Sequence, residues 1–159
     1  MIMKLELKHI VPYLPYELRL SHIESGSVHT MLRVDVFGGV NALNLKIIGE
    51  DAILKPLLRP ISSITEEEAL ELLELCTETK CQDIRIAKDY PAILISGSTD
   101  EYKVVVFINH NRTHAKIYQD VHHYDVSLEY SAYEWLFSKH FDVFGLINKG
   151  LAADKTELK

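Results

Sequence analysis

Hydrophobic spacing along the chain changes period several times, and each change predicts an element. Leu7, Ile10, Val11 and Leu14 keep a helical stripe, but Pro12 removes a donor and disfavours helical geometry at Val11, so only a turn or two of helix fits ahead of it. From Glu17 the period becomes two, with Leu18 and Leu20 on one face, and Ser25, Gly26 and Ser27 give the chain a place to turn. Val28, Leu32, Val34 and Val36 then share a face opposite His29, Met31, Arg33, Asp35 and Phe37, the pattern of a half-buried strand. Gly38 and Gly39 supply the positive φ values of a tight hairpin leading to Leu43, Leu45 and Ile47, so the first third predicts an antiparallel meander.

The segment 55–60 predicts an extended surface connector, because each proline pushes its predecessor out of the helical region. Thr65 and Glu68 have the spacing of a capping box, and Glu66, Glu67 and Glu68 place negative charge at the positive end of the helix dipole. Ala69, Leu72, Leu73 and Cys76 line the opposite, apolar face, which makes the glutamate run the wet side of a helix. Strands are predicted at 83–88, 92–96, 101–108 and 114–118, with one more at 126–130 and turns at 97–100 and 109–113. The run 102–108 is apolar on both faces and suits a central strand covered on each side. Ser131 and Glu134 repeat the capping-box spacing, so a helix should begin near Ala132, with Tyr133, Leu136, Phe137 and His140 in one stripe and Trp135 on its flank. Asp142 can cap a second short helix ending at Gly150, where Leu151 folds back on Leu146; the polar tail 152–159 should fray. The fold class is therefore α+β: a single domain over 1–159, with mostly antiparallel strands in two meanders, a middle helix and C-terminal helices.

Composition narrows the class of function. The chain has 159 residues, 47% of them hydrophobic, enough for a core, and its net charge of −6 repels nucleic acid and anionic membrane. No apolar run approaches the ~18 residues of a membrane span, and charge breaks up the first eight positions before a leader could form, so a cytoplasmic protein is expected. Cys76 and Cys81 read as reduced thiols, since an isolated C-x4-C is neither a disulfide framework nor a zinc half-site of usual spacing. The one Trp and three of the five Phe fall between 131 and 151, which marks Trp135, Phe141 and Phe144 as core anchors or as a patch for a partner.

Chemistry-bearing residues are sparse. His110 and His114 flank a predicted hairpin loop and His122 and His123 come shortly after it, a set that would suit a transition metal or a hydrolase site with a nearby carboxylate such as Asp120, Asp125 or Glu129. No spaced metal motif supports them, and exposed turn residues are the ordinary reading. Ser96, Gly97 and Ser98 lack the nucleophile-elbow pattern, and Gly38 and Gly39 lack that of a phosphate loop. Lys46, Lys55 and Arg59 with Tyr13 and Tyr16 would make a small basic, aromatic patch, against the ordinary reading of scattered charge and core-edge tyrosines. No cofactor is implied.

Three segments carry a family likeness. They are 4–16, with Lys8, His9, Ile10, Pro12, Tyr13, Pro15 and Tyr16; 54–65, with Lys55, Pro56, Arg59, Pro60 and Thr65; and 135–153, running from Trp135 through His140, Phe141, Asp142, Phe144, Gly145, Lys149 and Gly150. Together they resemble a family of short uncharacterised proteins encoded in prophages and other mobile elements of gut bacteria. The resemblance implies a cytoplasmic accessory role and assigns no catalytic residue. With the composition, it leads to the expectation of a non-enzymatic protein acting on an unidentified protein partner or as a homo-oligomer, the alternative being the metal-dependent hydrolase or nuclease.

Overall fold

Pro12 and Pro15 limit the first helix to one turn and tighten the next two. In the computed structural model, which describes residues 5–30, 54–88, 92–109, 113–119, 122–126 and 130–157, α1 spans Leu7–Ile10 and is continued as a 3-10 helix over Val11–Tyr16. Glu17 closes it in the left-handed region, φ 56°, and the chain enters β1, Arg19–His22. The chain groups into two compact units, 1–60 with 137–159, and 61–136.

The first unit holds a four-stranded sheet. Its order is β2 (Val28–Thr30), β1, β3 (Leu54–Leu58) and β9 (Ala153–Asp154). β1 and β2 form a hairpin closed by hydrogen bonds from the amides of His22 and Gly26 to the carbonyls of Ser27 and His22; Gly26 takes φ +68°. That turn is where Ser25, Gly26 and Ser27 placed it, while the predicted Gly38 and Gly39 hairpin and the strand at 43–47 lie outside the described residues. β3 corrects the reading of 55–60 as a surface connector. Prolines do hold this stretch extended, but Leu54, Leu57 and Leu58 are buried and the strand lies inside the sheet, antiparallel to β1 and parallel to β9. Pro56 is tolerated there because β9 meets β3 only from Leu57 onward. The tail is docked: Ala152 is buried, and β9 runs into a turn of 3-10 helix at Lys155–Glu157. Main-chain pairing with β3 supplies what its polar side chains do not.

The second unit is a five-stranded antiparallel meander whose strands pair in chain order, with a helix on one face. The helix, α2, Glu66–Thr77, begins at the predicted capping box: Thr65 Oγ1 accepts the Glu68 amide at 3.2 Å, and the Thr65 amide donates to Glu68 Oε2 at 3.1 Å. Ala69, Leu72 and Leu73 are buried against the sheet side while Glu66, Glu67, Glu71 and Glu78 are exposed. The strands are β4, Gln82–Ala87; β5, Ala92–Ser98; β6, Lys103–Asn109; β7, Thr113–Gln119; and β8, His122–Val126. β6 is central, as its apolar run predicts, but among the described residues its two faces are buried unequally. Val104, Val106 and Ile108 are buried, whereas Lys103 is exposed and Val105 and Phe107 are half-buried. The last strand of the meander starts at His122 instead of 126.

The C-terminal helix, α3, runs over Tyr130–Ser138, so Ser131 lies within it and not at its cap. Its residues through Leu136 belong to the second unit and those from Phe137 to the first. The second short helix is absent. Residues 142–150 form a series of turns instead, although both of their predicted ends hold: Asp142 accepts the amides of Leu146 and Ile147, and Gly150, φ +69°, reverses the chain. The Gly150 amide bonds the Ile147 carbonyl at 2.9 Å and the Leu151 amide bonds that of Leu146 at 2.8 Å, the paired pattern of a Schellman closure.

Candidate functional site

The residues that give the sequence its character gather in the first unit. Tyr13 is fully buried, its hydroxyl donating to the Phe141 carbonyl at 2.7 Å and accepting the Val143 amide at 3.3 Å. Its ring stands edge-on to Phe137 at 5.0 Å and to Phe144 at 6.4 Å, and His9 lies 5.6 Å from Phe144. Arg59 stacks over Phe141, 4.5 Å from its centroid, while the Arg59 amide and carbonyl bond the His140 carbonyl and the Asp142 amide, both at 2.8 Å. Tyr13, Arg59 and the stretch 137–144, one part of each of the three segments, thus meet in one packed cluster. Burial raises the Tyr13 phenol well above its ordinary range and lowers His9, where Lys8 and Lys149 add to the effect against Glu6. His140, at φ 58°, is also lowered by burial, with Lys155, Arg19 and Arg59 acting the same way, against a backbone hydrogen bond with Tyr16. These are signatures of packing; the Tyr13 hydroxyl is saturated and its ring cannot offer a stacking surface.

An open site lies elsewhere, on the face of the meander turned away from α2. Alternation along β5 decides which residues reach it. Ile93, Ile95 and Gly97 face the helix, where a Cβ on Gly97 would come within 2.9 Å of Leu73 Cδ1 and 3.0 Å of Ile84 Cδ1. Ser96 and Ser98 therefore face the other way. The register sets Arg85 opposite Ser96, Ser96 opposite Val105, and Ser98 opposite Lys103. Between Gln82 and Arg85 the ladder slips at Asp83, φ 55°, whose carboxylate accepts the Ser98 hydroxyl at 3.1 Å. Together Asp83, Arg85, Ser96, Gly97, Ser98, Lys103 and Val105 line a groove of about 290 Å³. Arg85 and Lys103 are exposed, and no hydrogen bond or ion pair joins either side chain to another described residue. Two cations whose side chains bond no described neighbour, a hydroxyl and a short apolar floor can hold an anionic group. Nothing in the linear sequence marked this groove, because its residues come from three strands and only the register brings them together.

Of the residues the sequence singles out, Phe141 is fully buried, Phe144 packs against the core of the first unit, and Trp135 is half-buried on α3. His110, Asp120 and Glu129 lie outside the described residues, as does Lys46. His114 occupies the β7 position opposite Phe107, near one end of the β7–β8 ladder, and His122 and His123 stand opposite Gln119 and Tyr118 at its other end. Five residues of strand separate position 114 from 119, roughly 16 Å at about 3.3 Å per residue. Asp125 stands opposite Lys116.

Compared with protein-family models, with curated proteins and with solved structures, the chain matches none.

Proposed function

We propose that the protein is a non-enzymatic accessory protein of a phage or mobile element that works by binding a protein partner through the open face of its five-stranded sheet. One observation carries the binding part: the groove between Arg85 and Lys103, with exposed charge and half-buried apolar surface on a rigid antiparallel scaffold. Cations that bond no described neighbour contribute little to folding, and a face holding them beside Val105 fits the polar-rimmed, partly apolar character of protein interfaces. The accessory role rests on the resemblance of segments 4–16, 54–65 and 135–153. Tyr13, Arg59, Phe141 and Phe144 of those segments account for one another by packing, which leaves the groove as the surface to explain.

The test is site-directed photo-crosslinking. A benzophenone side chain replacing Val105, half-buried on the open face, should capture a discrete protein in cells, while the same group at Glu67 on α2 should not. Equal adducts from both positions, or none from Val105, would remove the proposal.

A further inference from the structure

The groove has a charge and a spacing, and both restrict what fits it. Its two rows of facing residues, Arg85 with Ser96 and Val105, and Ser98 with Lys103, are two residues apart along β5. That offset is about 6.7 Å, the repeat at which an extended chain presents side chains on one face. Strands in a sheet stand about 4.8 Å apart, so Arg85 and Lys103, on strands either side of β5, bracket the groove with their backbones roughly 12 Å apart on the diagonal. Among the residues that line the groove the opposing charge is that of Asp83, already accepting the Ser98 hydroxyl, so the lining keeps a surplus of positive charge within a chain of net charge −6. Its volume of about 290 Å³ takes a few side chains and not a folded element.

We infer that the partner enters this groove as an extended acidic segment, with carboxylates at positions i and i+4, about 13 Å apart, reaching Arg85 and Lys103 and an apolar residue at i+2 resting near Val105. The inference rests on the proposed function and adds the chemistry of the partner to it. Arginine offers a forked pair of donors that suits a carboxylate, lysine a point charge, and Ser96 adds a hydroxyl that can donate from the floor of the groove.

The test uses the full chain and a defined probe, the acetylated and amidated pentapeptide Glu-Ser-Val-Ser-Glu, monitored by fluorescence anisotropy through a dye at its end. The peptide should bind with an affinity that falls as salt rises, and the double charge reversal R85E/K103E should weaken it at least about tenfold. A peptide with lysine in place of glutamate should recover binding to the reversed protein. Both substitutions lie at exposed side chains, and an unchanged circular dichroism melt shows that the variant is folded. Equal binding by wild type and variant, no binding by either, or equal displacement by inorganic phosphate and by unlabelled peptide would each overturn the acidic-segment reading. The two proposals fail separately: if the protein captured from position 105 is still captured by R85E/K103E, the sheet face remains a docking surface and its acidic ligand does not.

Discussion

The hydroxyl of Tyr13 and the carbonyl of Phe141 are 2.7 Å apart in space and 128 positions apart in the chain. Through this one oxygen, which also accepts the Val143 amide, the N-terminal 3-10 helix is tied to the turns at 141–150. Tyr13→Phe keeps the ring and its contacts with Phe137 and Phe144 but leaves a buried carbonyl and amide without this partner. The expected loss is about 1–3 kcal/mol of stability, seen as a lower urea midpoint at unchanged slope.

Asp142 acts over a shorter range. Its two carboxylate oxygens accept the amides of Leu146 and Ile147 at 2.7 and 2.9 Å, and its side chain is buried. Asp142→Ala should cost about 1–3 kcal/mol, with Asp142→Asn in between because one acceptor survives. Amide hydrogen exchange should quicken at Leu146 and Ile147 before the rest of the unit responds.

At Gly97 the constraint is space and not backbone freedom. Its missing Cβ leaves room for Leu73 of α2 and Ile84 of β4. Gly97→Val should destabilise by about 1–3 kcal/mol through overpacking, measured by thermal melting, and the added variant Leu73→Ala should relieve part of that loss.

Acid should weaken the fold through His9 and His140. Burial lowers both pKa values from the ordinary 6.5, so below pH 6.5 the unfolded chain takes up protons before the folded one does. Their stabilising contribution is therefore complete above pH 6.5 and is lost as pH falls from 6.5 toward the folded values. At His9 the incoming proton also displaces the Glu6 amide, which Nδ1 accepts at 3.0 Å. Urea midpoints at about pH 7.5 and about pH 5.5, on either side of that window, should differ in that direction, and His9→Gln should reduce the difference.

Local rules found what local physics decides. The Thr65 cap, the turn at Gly26, the closure at Gly150 and the alternating strands 82–119 depend on neighbours within a few residues, and all were legible. The burial of β3 was not, since Lys55, Pro56 and Arg59 look like connector composition and only the partners β1 and β9 draw the leucines inward. Gly97 shows the same limit: in sequence it marks a turn, whereas in the fold it marks where a helix comes close. The groove was invisible for a further reason. Arg85, Ser96 and Lys103 are unremarkable singly, and the slip at Asp83 that sets their register depends on a left-handed residue no propensity would assign there.

The strand at 153–154 gives the protein an order of assembly. As the chain emerges during synthesis, residues 61–136 are all present before β9, the parallel partner of β3, exists, so the interrupted unit begins first and is completed after the other. Its sheet joins positions made early and late in translation, the kind of distant pairing that slows folding. A newborn chain must therefore carry β3 without this main-chain partner until positions 153–154 have been made, and any chaperone it uses has reason to hold it there.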